Sequence, residues 1–275
     1  MQFVKSHGLG NDYIVVEPAE LPFALTPATV RLLCDRNFGI GSDGILARRE
    51  PTGEAPFAVA IFNPDGSEAE KSGNGIRIFA KFLSDYGRVQ DTRFVIETSG
   101  GDVSVVVRTN KGRVTSVAAN MGVASIDESL RQIEVAGKVL DIVSLSVGNP
   151  HCVVVVEDLE GIDVQDLGPA IERHPAFPNR TNVQFARIIE RNRVAIKIWE
   201  RGAGETLASG SSSCAVAAAC RYLGLVGDEV TINMDGGELL ISVDEAGEIT
   251  MDGPVEESFR GELSAELLER LAALQ

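Results

Sequence analysis

The sequence predicts an α+β protein of two similar tandem domains related by a pseudo-twofold. Each is expected to be a mostly antiparallel sheet wrapped round a central helix, with a ligand cleft between the two. Three observations point there. The chain is 275 residues long, above the comfortable size of one domain and enough for two. It repeats itself: FNPDGSEAEKSGNGIRIFAKFLSDYG (62–87) lies over WERGAGETLASGSSSCAVAAACRYLG (199–224) at an offset of 137, pairing Glu68 with Glu205, Ser72 with Ser209, Gly73 with Gly210 and Gly87 with Gly224. A second pair of segments falls almost in the same register, since Gly10-Asn11 matches Gly148-Asn149 at an offset of 138 and both run into valine-rich stretches.

The elements follow in order. A weak helix signal covers 27–36, and a β-branched run predicts a strand at 57–62. Over 72–87, Ile76, Phe79, Ala80 and Leu83 recur at helical spacing, and Gly87 is placed to stop the helix. Strands are expected at 94–97, 103–107 and 114–118. NMGVAS then ends a strand run near 118–125, which sets the domains at 1–118 and 119–275. The second half reads as strands at 142–147 and 152–156, a helix near 163–174, and strands at 183–189 and 194–199. The stretch 209–224 is rich in Ala, Val and Cys almost all round, so it predicts a helix buried on most sides. Strands at 230–234 and 239–243 and a helix near 263–274 complete the chain.

Composition narrows the function classes. Twenty-five Lys and Arg against forty Asp and Glu give a net charge of −15, which repels phosphate backbones and anionic lipid heads. No apolar run approaches the roughly 20 residues of a membrane span, and MQFVKSHGLGNDY lacks a secretory core. A soluble, cytoplasmic protein with no nucleic-acid or membrane partner is expected. The four cysteines (Cys34, Cys152, Cys214, Cys220) show no C-x-x-C spacing and read as small buried apolar residues. There is no H-E-x-x-H, no Walker loop and no G-x-G-x-x-G after a strand, so neither a metal nor a cofactor is expected.

Both central helices open on small residues, Ser72-Gly73-Asn74-Gly75 and Ser209-Gly210-Ser211-Ser212-Ser213. Serine caps a helix well and glycine lets a ligand approach the backbone. The exposed N–H groups and the positive end of the dipole suit a carboxylate. Either segment alone reads more simply as a capped helix after a tight turn. Two of them, related by a pseudo-twofold, would naturally face one cleft. Asn11, Asn63, Asn74, Asn149 and Asn182 lie at apparent strand ends or beside glycine, where asparagine is usually a turn residue. Read as ligands, these amides together with Arg201 would hold an α-amino and an α-carboxylate group. His151 follows Gly148-Asn149, and Glu200 precedes the second glycine loop.

HGLGNDY, FNPDGSEAEKSGNGIR, GNPHCVVV and WERGAGETLASGSSSCA resemble the signature segments of diaminopimelate epimerases, over nearly the whole chain and in the same order. That family is an isomerase family related to the proline racemases, independent of PLP and any other cofactor, and placed in lysine and cell-wall biosynthesis. The resemblance implies two similar domains with a small amino-acid substrate between them, and conversion of LL- to meso-diaminopimelate by two-base transfer of the α-proton. By resemblance Asn11, Asn63, Asn149, Asn182, Glu200 and Arg201 hold the substrate. The backbones of Gly73, Asn74, Gly210 and Ser211 would cup its α-carboxylate, and His151 and Glu200 would tune the catalytic pair. The oligomeric state stays open, a homodimer included.

One departure falls at the chemistry. Where the family pattern carries a cysteine before each glycine, this chain has Ser72 and Ser209. A thiol starts near a pKa of ~8.5 and helix ends lower it further. A serine hydroxyl stays neutral even after a shift of ~5 units, the upper end for active sites. Cys214 lies more than a turn into the helix and does not replace Ser209. The serines fit a designed substrate trap, a natural branch that binds an amino acid without racemising it, or an enzyme running another reaction on an amino acid or acting as a lyase.

Overall fold

The computed structural model describes residues 2–274. The chain forms two compact units: one runs through Ala119 and resumes at Gly253, and the other is Asn120–Asp252. In the first, the order is β1 (Gln2–Gly8), β2 (Asn11–Val16), α1 (Pro27–Cys34), β3 (Ile45–Arg49), β4 (Phe57–Phe62), β5 (Glu68–Ala69), α2 (Gly73–Asp85), β6 (Arg93–Thr98), β7 (Gly101–Asn110) and β8 (Arg113–Val123), whose last residues enter the second unit. The second continues with β9 (Ser125–Asp127), β10 (Gln132–Val135), β11 (Lys138–Asp141), β12 (Val143–Ser146), β13 (Pro150–Val155), α3 (Val164–Glu172), β14 (Asn182–Glu190), β15 (Arg193–Glu200), β16 (Gly204–Glu205), α4 (Gly210–Tyr222), β17 (Glu229–Met234), β18 (Gly237–Val243) and β19 (Glu248–Pro254). After β19 the chain returns to the first unit through β20 (Glu256–Glu262) and α5 (Ala265–Ala272).

The repeat visible in the sequence is a repeat of topology. In the first unit β20, β1 and β2 are joined antiparallel, β2 pairs parallel with β3, β3 antiparallel with β4, β4 parallel with β6, and β6, β7 and β8 follow antiparallel. In the second unit β9, β12, β13, β14, β15, β17, β18 and β19 reproduce that series pair for pair. Each parallel pair requires a crossover, and the crossovers are the four helices α1, α2, α3 and α4. Both sheets are mostly antiparallel, as expected.

The boundary drawn at residue 118 needs one correction. The expected second domain, 119–275, loses its last segment: β20 pairs with β1 from Gln2↔Glu262 to His7↔Glu256. Leu263 and Leu271 pack into the core that holds Phe3, Ile14, Val16, Val30 and Leu33. The reason lies in the repeat. β9 follows β8 and pairs in the second unit, and β20 follows β19 and pairs in the first, so the same connection is made twice.

Each unit has its helix in the bend of the sheet. The α2 helix buries Ile76, Ile78, Phe79, Ala80 and Leu83 together with the polar Arg77 and Lys81. The α4 helix buries Cys214, Ala215, Val216, Ala217, Ala219 and Cys220 on nearly all sides, so its small side chains let strands approach from several directions. Cys34 and Cys152 are also buried, and none of the four cysteines is in a disulfide. Burial pushes the Cys152 and Cys220 thiols up to about 12, which leaves them as apolar packing. No helix among the described residues is long and apolar enough to cross a membrane.

Candidate active site

Ser72 is the N-cap of α2 and Ser209 the N-cap of α4, both in extended backbone that turns straight into helix. Each hydroxyl closes its own helix start: Ser72 Oγ accepts from Gly75 N at 3.1 Å and Ser209 Oγ from Ser212 N at 3.5 Å. The N–H groups of Gly73, Asn74, Gly210 and Ser211 stand at the first two helical positions, where no intrahelical acceptor exists. The third N–H of each helix is occupied by its cap.

In the first unit an unbroken chain of polar groups braces this helix start. Asp43 Oδ2 accepts from Asn11 Nδ2 at 3.1 Å, Asn11 Oδ1 accepts from Asn74 Nδ2 at 3.1 Å, and Asn74 Oδ1 accepts from Arg77 Nη2 at 2.7 Å. A carboxylate only accepts and a guanidinium only donates, so the two ends fix the orientation of both amides between them. Each amide then keeps a second N–H to offer. Arg77, fully buried, also donates to Gly73 O at 3.3 Å. Gly8 leaves room for this guanidinium, since a Cβ on it would stand 2.9 Å from Arg77 Nη2 and displace it.

Behind Asn11 the charges are matched. Arg36 Nη2 reaches both Asp12 Oδ1 and Asp43 Oδ1 at 2.8 Å, and Lys5 Nζ lies 2.8 Å from Asp12 Oδ2. Burial works to raise the Asp12 pKa, but the bonds from Arg36 and Lys5 prevail and hold it below the usual carboxylate range. Asn63, the remaining residue singled out in this half, ends β4 in a tight turn where its amide donates to Ser67 Oγ at 3.0 Å. It is not joined to the Asn11–Asn74 chain.

The second unit has its own chain. His151 Nε2 donates to Asn149 Oδ1 at 2.9 Å, while His151 Nδ1 accepts from Gln184 Nε2 at 3.0 Å, and Gln184 Nε2 also donates to Ser212 Oγ at 2.9 Å. This runs from Asn149 to the first turn of α4. Complete burial pushes the His151 pKa down to about 3, against a raising bond from Gln184 and with a further lowering from Arg201. The ring is therefore neutral with its proton on Nε2 and supplies a hydrogen-bonded link instead of a positive charge.

Asn182 stands opposite His151 in the parallel pair of β13 and β14. Its amide donates to Pro150 O at 2.9 Å and accepts from Arg201 N at 2.9 Å, which ties the Glu200-Arg201 corner to β14. The Arg201 side chain is exposed and donates to Asn179 O at 3.1 Å. Glu200 ends β15, half-buried, opposite Gly204. The buried Glu172 fastens the corner from below, accepting from Trp199 Nε1 at 2.8 Å and from Gly202 N at 3.0 Å.

Sequence reasoning missed several residues of these networks, among them Tyr13, Asp43, Arg77, Glu172 and Gln184. Tyr13 Oη lies 3.1 Å from Ser72 Oγ. Its signal was available, because strand alternation places residue 13 on the same face as Asn11. Gln184 was equally visible as one polar residue in the apolar run Val183-Gln184-Phe185-Ala186. Asp43 and Glu172 carried no such signal. Among the described residues, no three of His, Cys, Asp and Glu converge as a metal-binding group.

This architecture is that of known epimerases. The hydroxyproline epimerase of Agrobacterium vitis, solved with trans-4-hydroxy-L-proline bound, shares the fold at a TM-score of 0.74 and 18% identity, over 96% of this chain and 90% of that one. The family model for diaminopimelate epimerase matches residues 3–126 and 143–257. The chain is 45% identical over 276 residues to diaminopimelate epimerase 2 of Nostoc sp., covering 97% of each. It is 40% identical over 281 residues to the diaminopimelate epimerase of Pelotomaculum thermopropionicum, covering 95% of this chain and 98% of that one. The family model and these relatives make the chain an isomerase of the racemase and epimerase class. Within that class, the chain belongs to the diaminopimelate epimerase family.

Proposed function

We propose that this protein binds diaminopimelate and acts on proton transfer at its α-carbon, with Ser72 and Ser209 at the two positions of acid–base work. The observation that carries this reading is the equivalence of the two helix starts, each serine-capped and each braced by a polar chain containing an asparagine amide. The N–H groups of Gly73, Asn74, Gly210 and Ser211 receive the α-carboxylate. Spreading the developing carbanion charge into a carboxylate held this way is the main electrostatic contribution. Asn11, Asn63, Asn149, Asn182, Glu200 and Arg201 hold the remaining polar groups of the substrate.

Neither helix start offers a thiol, and a neutral His151 gives no charge that would ionise a serine. Inversion needs a base on one face and an acid on the other. The reading is therefore one of retained binding with epimerisation slowed or lost. Calorimetry with LL-, meso- and DD-diaminopimelate, alongside an epimerisation assay by NMR, tests it: binding with turnover far below an ordinary enzyme rate of about 1–10³ s⁻¹ is expected. Arg201→Met should weaken binding by about 1.5–3 kcal/mol, the worth of a hydrogen bond to a charged group. Failure of all three stereoisomers to bind would favour the second reading, a protein that binds or converts another amino acid. The observation on that side is Ser209, whose hydroxyl among the described residues meets the Ser212 N–H and no titratable side chain.

A further inference from the structure

Of the two capping serines, Ser72 alone touches a titratable side chain among the described residues. Its Oγ lies 3.1 Å from the phenol oxygen of Tyr13, whereas Ser209 Oγ accepts one long bond from a backbone N–H. Tyr13 is held firmly. It is 7% exposed, and its ring lies against Gly44, where an added Cβ would come within 2.7 Å of Tyr13 Cε1 and 2.4 Å of Phe62 O. Ser72 is cleared in the same way by Gly75, where a Cβ would stand 3.3 Å from Ser72 Oγ.

We infer that Tyr13 and Ser72 form a proton relay serving one face of the substrate's α-carbon, so that this chain exchanges an α-proton with solvent at one configuration and does not invert it. The inference rests on the preceding reading that an α-amino acid is held at these helix starts. In the step itself Ser72 Oγ takes the α-proton while its own hydroxyl proton passes to the Tyr13 phenolate. The Cα–H electron pair stays on the substrate and spreads into the carboxylate. The reverse transfer returns a proton from Ser72 to the same face while Tyr13 gives its proton back to Ser72. Exchange of the Ser72 hydroxyl proton with solvent while the carbanion persists makes the returned proton a solvent proton, and nothing is oxidised or reduced. Ser72 touches the reacting atoms, and Tyr13 acts through it.

The relay is charged only when the phenol is ionised. Phenols titrate near ~10, within reach of alkaline assays, and aliphatic alcohols do not. The charged and titratable groups on the neighbouring elements are Arg77 and Lys81 on α2, Lys5 and His7 on β1, Asp12 on β2, Arg36 and Asp43 before β3, and Glu68, Glu70 and Lys71 ahead of Ser72.

The experiment follows deuterium incorporation from heavy water into LL- and DD-diaminopimelate by NMR, with binding measured separately by calorimetry. Label is expected in one of the two isomers only, without epimer. The rate should rise with pH over the alkaline range in which the Tyr13 phenol ionises. Tyr13→Phe should lower it about 10²-fold, the low end for a general acid–base group, and flatten the profile with the dissociation constant unchanged. Tyr222→Phe, on the exposed surface, should leave the rate as it was. Label in both isomers, a flat profile, or full exchange by Tyr13→Phe overturns the relay. If no isomer binds, the reading fails by itself, and the relay is judged on the free protein. With three tyrosines in the chain, the Tyr13 titration is obtained by ultraviolet difference against Tyr13→Phe. It should move in Ser72→Ala and stay in place in Ser72→Thr, which keeps the hydroxyl and the cap. A titration indifferent to Ser72→Ala overturns the relay in that case.

Discussion

A buried amide has two ways to sit in density-blind chemistry and only one here. Because Asp43 must accept and Arg77 must donate, Asn11 and Asn74 both present nitrogen in the same sense, and the helix start inherits a row of donors. Arg77→Met keeps the side-chain bulk but leaves Asn74 Oδ1 and Gly73 O without that donor. A loss of about 2–4 kcal/mol in urea unfolding is expected, the range for breaking a buried charged network. His151 makes a second prediction, and its sign follows from proton counting. Unfolded histidine takes a proton near ~6.5, but the folded ring stays neutral down to about 3, so between these values the unfolded state binds more protons. Stability should fall as pH falls through that window, by at most about 1.4 kcal/mol per unit, and His151→Gln should reduce that slope. Asp12 acts lower: its folded pKa is depressed, so its contribution is present above the unfolded value and is lost as pH falls through the folded one. At this scale the sequence showed the asparagines, His151 and both serines by type and by repeat. It could not show Asp43 or Glu172, whose roles depend on partners 32 and 30 residues away.

Capped helices were the most legible elements. The stretches 27–36, 72–87, 163–174, 209–224 and 263–274 each contain one, because helical spacing and a cap residue are both local signals. Strands were legible as apolar runs or as alternation, at Phe57–Phe62 and Gly101–Asn110 for instance, whereas β1, β2, β3 and β19 went unread although β2 is buried over most of its length. β20 was not legible either: among the described residues its sequence EESFRGE pairs with β1 and is largely exposed, so it has neither alternation nor an apolar run. Two substitutions test what the elements do. Ser72→Cys combined with Ser209→Cys keeps both helix starts and supplies groups that ionise near neutrality. Epimerisation of LL-diaminopimelate, followed by NMR, should appear in the double variant and much less in either single one. Gly168→Ala probes the α3 contact, where a Cβ would stand 2.6 Å from Trp199 Cγ. The helix must then shift from β15 and strain the Trp199–Glu172 bond, lowering the unfolding free energy by about 1–3 kcal/mol.

The whole molecule is a repeat whose two copies are not equally continuous. The second unit is one uninterrupted stretch, Asn120–Asp252, while the first needs residues from both ends of the chain. A chain ending after Asp252 lacks β20 and α5, leaving β1 with an open edge and the Phe3, Ile14 and Leu33 core without Leu263 and Leu271. Limited proteolysis should degrade residues 1–119 of that fragment while sparing 120–252, and uniform resistance would show the tail to be dispensable. That architecture also reverses the usual timetable of protein synthesis, in which the part made first folds first. Here β1 cannot close its sheet until β20 has followed it out of the ribosome, because Gln2 waits for Glu262. The middle of the chain completes itself earlier, and for that interval the nascent amino-terminal strands are the portion most in need of a chaperone.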